Sequence, residues 1–138
     1  MISKVQVKDL VVHKSDKGDL LKGFLKSDND NFNIGEVYFS EIIHNNIKGW
    51  KRHNKMTCNL IVPSGEVKFA ILNEDINYSF SINLSRENYK LLTIPPCYWF
   101  AFKGIGKNSN LILNISDIEH CDNEVDELEI DHFKFNWK

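Results

Sequence analysis

The stretch Ile76-Asn77-Tyr78-Ser79-Phe80-Ser81-Ile82-Asn83-Leu84 decides the fold class. Ile76, Tyr78, Phe80, Ile82 and Leu84 fall on one face, and Asn77, Ser79, Ser81 and Asn83 on the other. That period of two is the mark of a half-buried β-strand. The same signature spreads outward. Upstream, Pro63-Ser64-Gly65-Glu66 is a turn between two apolar runs, Cys58 to Pro63 and Glu66 to Leu72. Before them come Val5 to Val12, a Ser15–Asp19 turn, Leu20 to Leu25, a polar Asp28–Asn33 loop and the strand-like Glu36 to Ile43. Downstream, Leu91 to Ile94, Tyr98 to Phe102 and Leu111 to Ile115 complete the series. Only Asp122 to Ile130 reads as a short helix, with Val125, Leu128 and Ile130 as its buried side. Eight or nine short strands with almost no helix predict a single all-β domain over residues 1–138, a sandwich or barrel. Periodicity fits a jelly roll and an immunoglobulin-like sandwich equally well.

Composition narrows the function classes. The 138 residues suffice for one core without staples. Lys and Arg number 17 against 19 Asp and Glu, a net charge of -2, which argues against a nucleic-acid binder. No apolar run approaches the roughly 20 residues of a membrane span, and Met1 to Gln6 does not read as a signal peptide. Three cysteines, Cys58, Cys97 and Cys121, form no CxxC pair, so a disulfide framework or zinc finger is not expected and a cytoplasmic setting is. Only two of the basic residues are Arg, Arg52 and Arg86, and eight Asp or Glu crowd Asp117 to Asp131 without a Lys or Arg.

Three segments carry more specific information: Gly35-Glu36-Val37-Tyr38-Phe39-Ser40, Ile47-Lys48-Gly49-Trp50-Lys51-Arg52-His53 and Ile94-Pro95-Pro96-Cys97-Tyr98-Trp99-Phe100. Met56-Thr57, Asn59, Val62 and Gly65 extend the second, and Phe102-Lys103-Gly104 the third. Asn114, His120, Asp122, Glu124-Val125 and Trp137 form a closing pattern. In this order and spacing they resemble the dTDP-4-dehydrorhamnose 3,5-epimerase family of cupin jelly rolls, in its shorter sugar-nucleotide branch. The resemblance implies two antiparallel sheets around a ligand cavity, a homodimer, and a nucleotide-linked sugar as ligand.

It also implies a reaction beside the C4 ketone of a nucleotide-linked 4-keto-6-deoxysugar. Such a reaction needs a base for a carbon-bound proton, a cation or donor for the enolate oxygen, and an acid to return a proton. In the family pattern a Gly-x-His supplies the base, a C-terminal Asp orients it, and a late-strand Tyr is the acid. Here Lys51 stands at the base position, His53 at the second His position, Asp131 matches the orienting Asp, and the Tyr position falls near Leu113. Phe100 stands where the branch has His, and Cys97 replaces a turn Gly. The expected catalytic residues are therefore His53, Lys51 and Asp131, with His53 the best proton carrier. Lys48 and Arg52 are candidates for the diphosphate, Trp50, Asn59, Tyr98 and Trp99 for the nucleotide or sugar, and Lys17 sits in the family's Asp-x-Arg-Gly turn. His120 reads as structural. No His-x-His with a third ligand can be assembled, so neither metal nor cofactor is expected. Two readings stay open: an epimerase or ketoisomerase, and a non-catalytic cupin that binds a sugar nucleotide or supports a partner enzyme.

Overall fold

The computed structural model describes residues 4–138. Residues 1–3, where the domain and signal-peptide readings begin, lie outside the described part. Twelve strands follow one another among the described residues: β1 (Gln6–Asp9), β2 (Val12–His13), β3 (Leu20–Leu21), β4 (Glu36–Ile43), β5 (Ile47–His53), β6 (Cys58–Ser64), β7 (Glu66–Asn73), β8 (Tyr78–Ser85), β9 (Lys90–Ile94), β10 (Trp99–Gly104), β11 (Ser109–Ser116) and β12 (Val125–Glu127). Two five-stranded antiparallel sheets result, ordered β1-β9-β6-β11-β4 and β12-β5-β10-β7-β8, with β2 and β3 as a separate ribbon. This is a cupin jelly roll, one of the alternatives that periodicity left open. No helix among the described residues is long and apolar enough to cross a membrane.

Period-two alternation explains how each strand serves two layers. Leu60 and Val62 of β6, Phe69 and Ile71 of β7, Phe100 of β10 and Ile112 of β11 point between the sheets and build the inner core. Their sequence neighbours face outward. Ile61 and Leu91 are covered by Leu10, Val12, Leu21 and Phe24 from the first part of the chain. Trp50, Ala70, Trp99 and Ala101 are covered by Phe133, Phe135 and Trp137 from the last part.

Two expectations need correction. Ile76 is not on the strand: Glu74–Ile76 is a 3-10 turn capped by the Asn73 side chain and closed by Asn77 at φ 51, and Ile76 is exposed. Residues 122–130 are not a helix. One 3-10 turn, Asp122–Glu124, leads into β12, which pairs Val125 with His53, Asp126 with Arg52 and Glu127 with Lys51. The free edge of β5 offers these residues a hydrogen-bond ladder, and tertiary pairing overrides a spacing that suits either period.

Candidate active site

The jelly roll leaves a cavity of about 940 Å³ between the sheets. Leu60, Phe69, Phe100, Phe102 and Ile112 supply its apolar lining, and β4, β5 and the β12 segment supply its polar groups. On β5, Lys51 and His53 share the inward face. Simple alternation would turn Lys48 outward. The pairing of β5 with β10 slips by one residue between Phe100–Lys51 and Phe102–Lys48, and this bulge brings Lys48 to the cavity too. Gly49 makes the bulge possible: its φ is +139, and a Cβ there would lie 2.7 Å from the Ala101 Cα. The Lys48 ammonium donates to the Glu41 carbonyl at 2.6 Å.

His53 is 8% exposed. Its Nδ1–H donates to Oε1 of Glu124 at 2.5 Å, and its ring stacks on Phe100 with centroids 6.0 Å apart. Glu124 is itself buried, at 2% exposure. Its other oxygen accepts the backbone N–H groups of Asn54, Lys55 and Met56 at 3.1, 3.2 and 3.4 Å. Burial alone would raise the Glu124 carboxyl; the hydrogen bonds from His53 and these amides outweigh it and hold the group below the ordinary Glu range. An ionised carboxylate accepts only, which fixes the His53 proton on Nδ1 and leaves Nε2 to exchange one.

On the other sheet, Tyr38 and Ser40 of β4 line the same cavity. The Tyr38 hydroxyl accepts a hydrogen bond from Asn114 Nδ2 at 2.8 Å, so its own O–H remains free to donate. Burial pushes the phenol up despite the Asn114 bond, which keeps it protonated near neutral pH. The Asn114 side-chain oxygen is held in turn by the Asn59 N–H at 3.1 Å, and Thr93 donates to the Asn59 side chain at 2.7 Å. Glu127, Glu129 and His120 complete the polar lining, Lys51 lying 3.7 Å from Glu127 and His120 bonding to Asp122 at 2.8 Å.

The structure thus brings together His53, Lys51 and Lys48; of the other sequence candidates, Trp50 borders the cavity with its indole turned outward, and the rest lie apart from the lining. Asp131 is exposed and does not line the cavity; Glu124 is the carboxylate on His53. Arg52 faces outward, donating to Asp126 at 2.8 Å and lying 4.7 Å over the Trp99 ring. Trp99 therefore belongs to the outer cluster, as does the Trp50 indole, whose Nε1 donates to the Ile130 carbonyl at 3.0 Å. Tyr98 packs in the inner core edge-on to Tyr78. Asn59 is a buried support one hydrogen bond behind the Tyr38–Asn114 pair. Lys17 lies exposed in the Ser15–Gly18 turn. Leu113 joins the cluster of Ile61 and Leu91 on the outside of the other sheet, whereas Asn114, next to it, pairs across the ladder with Tyr38. The sequence reading missed Tyr38 and Glu124. Inward alternation of Glu36, Tyr38, Ser40 and Ile42 carried a signal for the first, and the closing motif for the second. Among the described residues, no group of three His, Cys, Asp or Glu gathers in metal-binding geometry.

No family model matches the chain. The sequence is 27% identical over 135 residues, 89% of this chain and 86% of the relative, to the "Probable low-salt glycan biosynthesis epimerase Agl13" of Haloferax volcanii. The fold superposes on a dTDP sugar isomerase from Desulfovibrio desulfuricans with a TM-score of 0.90 and 29% identity, covering 96% of this chain and 90% of that one. A histidine-to-asparagine mutant of the 3,4-ketoisomerase QdtA of Thermoanaerobacterium thermosaccharolyticum, solved with TDP-4-keto-6-deoxyglucose, shares the fold at a TM-score of 0.75 and 21% identity over 91% of this chain and 88% of its own. With the jelly roll and the cavity in place, these likenesses make the chain similar in sequence and fold to the RmlC-like cupins, among them sugar-nucleotide epimerases and isomerases.

Proposed function

We propose that this protein is an epimerase or ketoisomerase acting on a nucleotide-linked, dTDP-borne 4-keto-6-deoxysugar in surface-glycan assembly, by acid–base chemistry without a metal. One observation carries the reading: a buried His53–Glu124 pair on the β5/β12 side of the cavity, facing the protonated Tyr38 on the β4 side. A sugar ring between the two sheets meets a base on one face and an acid on the other. His53 Nε2 takes the proton from the carbon beside the ketone. Glu124 stabilises the imidazolium that forms. Lys51, half-exposed and 3.7 Å from Glu127, can turn to the enolate oxygen. Tyr38 delivers a proton from the opposite side. Lys48 is the cation available to the diphosphate. In this mechanism Lys51 and His53, not Asp131, Arg52 or the tryptophans, are the groups that meet substrate.

The active form is a homodimer. Val37, Phe39 and Ile43 are exposed on β4, a strand with a free edge whose other face carries Tyr38 and Ser40 into the cavity. A second copy covers this apolar strip, and light scattering at micromolar concentration should give twice the mass of the chain.

A second reading is a cupin that binds a sugar nucleotide without turnover. The Phe100 ring stacked on His53 favours it, because that ring takes space beside the base. Calorimetry with dTDP combined with solvent-deuterium uptake separates the two. Binding with deuterium entering the sugar supports the enzyme; tight binding without uptake supports the binding protein.

A further inference from the structure

Residues 128–137 do more than cover hydrophobic surface. The ladder between β12 and β5 has only three residue pairs. Beyond it, Trp50 and Leu128 exchange N–H···O=C bonds in both directions at 3.0 Å, and the Trp50 indole N–H reaches the Ile130 carbonyl at 3.0 Å. Phe133 and Trp137 then close on the Trp50 ring, with centroids 5.2 and 6.0 Å away, and the Trp137 carbonyl is held by the Lys103 ammonium at 3.1 Å. Trp50 is completely buried at the centre of this clamp. On the opposite side of the same two chain segments stand His53 and, one residue before β12, Glu124.

We propose that residues 128–137 form a positioning strap: by clamping Trp50 they hold the short edge strand β12 in register on β5, and so keep the Glu124 carboxylate on His53. Leu128 and Glu129 at the start of the strap line the cavity themselves, whereas Phe133 and Trp137 do not and act through Glu124. A three-residue edge strand frays readily by itself, and the aromatic clamp supplies the burial that the ladder lacks. The catalytic part of this inference rests on the acid–base reading proposed above; the positional part does not.

The test uses the backbone amides of Lys55 and Met56, which donate to the Glu124 carboxylate, and of Asn54, which donates both to it and to the Glu124 carbonyl at 2.7 Å; together they report where Glu124 sits. In the ligand-free full chain, hydrogen exchange is compared between wild type, Trp137→Ala and Trp137→Phe, at a temperature where circular dichroism shows all three folded. All three tryptophans of the chain, Trp50, Trp99 and Trp137, lie in the clamp, so a red shift of the remaining emission reports its release. Trp137→Ala should speed exchange at 54–56 about tenfold, leave the β4–β11 amides of the other sheet unchanged, and be rescued by Trp137→Phe. If Trp137→Ala fails to fold, Phe135→Leu serves as the milder lesion. Faster exchange confined to 128–137, with 54–56 unaffected, overturns the proposal, as does a Phe133→Ala/Trp137→Ala double variant that changes neither segment. On the dTDP-linked 4-keto-sugar, Trp137→Ala should lower kcat about tenfold with KM unchanged. If the wild type turns over nothing, the functional reading fails while the exchange comparison still decides the strap.

Discussion

Replacing Glu124 by Gln probes the site at its most constrained group. The carboxylate takes four hydrogen bonds, one from His53 and three from the amides of residues 54–56. Gln offers one acceptor oxygen and one NH2. If the oxygen stays with the three amides, the NH2 faces His53 Nδ1, which must then give up its proton. The ring proton moves to Nε2, the atom that the reaction needs as an acceptor. Hydrogen bonds to a charged acceptor are worth about 1 kcal/mol more than neutral ones, so four of them lose roughly 4 kcal/mol. The lower desolvation cost of a neutral amide returns part of this, leaving a net loss of about 2 kcal/mol. Turnover should fall about 10²–10⁴-fold, the scale of losing an oriented general base. The pH dependence follows from the lowered Glu124 carboxyl. A group whose folded pKa is depressed contributes fully above its unfolded value, about 4.3 for Glu, and loses that contribution as pH falls through the folded value. Urea denaturation should therefore show the gap between wild type and Glu124→Gln at pH 7.5 and its closing below about pH 4. A gap that is absent, or constant down to pH 3, refutes the assignment of Glu124, and so does wild-type turnover in the variant.

Three further outcomes are expected. Tyr38→Phe should keep the fold, since the ring is partly exposed, and lose about 10²–10⁴ in rate in the same assay. Cys97 sits at φ 75, where glycine is at ease, and its N–H is held by the His53 carbonyl at 2.7 Å; Cys97→Gly should raise the urea midpoint, stabilising by about 0.5–1 kcal/mol. Burial pushes the Cys58 thiol up to about 12, whereas Cys97 and Cys121 are exposed; a thiol reagent at pH 8 should titrate two groups in the native protein and the third only on unfolding.

The strand pattern was legible where the two faces of a strand meet different surroundings, as from Tyr78 to Leu84. It failed at Val125 to Ile130, where the apolar spacing suits either period and only the free edge of β5 selects a strand. At the site, His53 could be read from its motif, and the outward turn of Arg52 follows from its place between the inward Lys51 and His53. Lys48 breaks that alternation through a bulge that depends on Gly49 and Ala101 meeting across the sheet. Eight acidic residues crowd 117–131, and nothing local distinguishes Glu124 from Asp131; the β5–β12 register does. Tyr38 is a matter of register as well. The phenol is brought into the cavity from the neighbouring strand, paired with Asn114, rather than from position 113.

In the proposed mechanism, His53 and Tyr38 move protons at a carbon beside a sugar ketone. Incubation of the wild-type protein with dTDP-4-keto-6-deoxyglucose in D2O, followed by NMR and mass spectrometry, tests it directly. Deuterium is expected at the carbon next to the ketone, or on the isomerised ketone, and none with His53→Gln. Failure of every dTDP-, GDP- and UDP-linked 4-keto-sugar to take up solvent deuterium would contradict it.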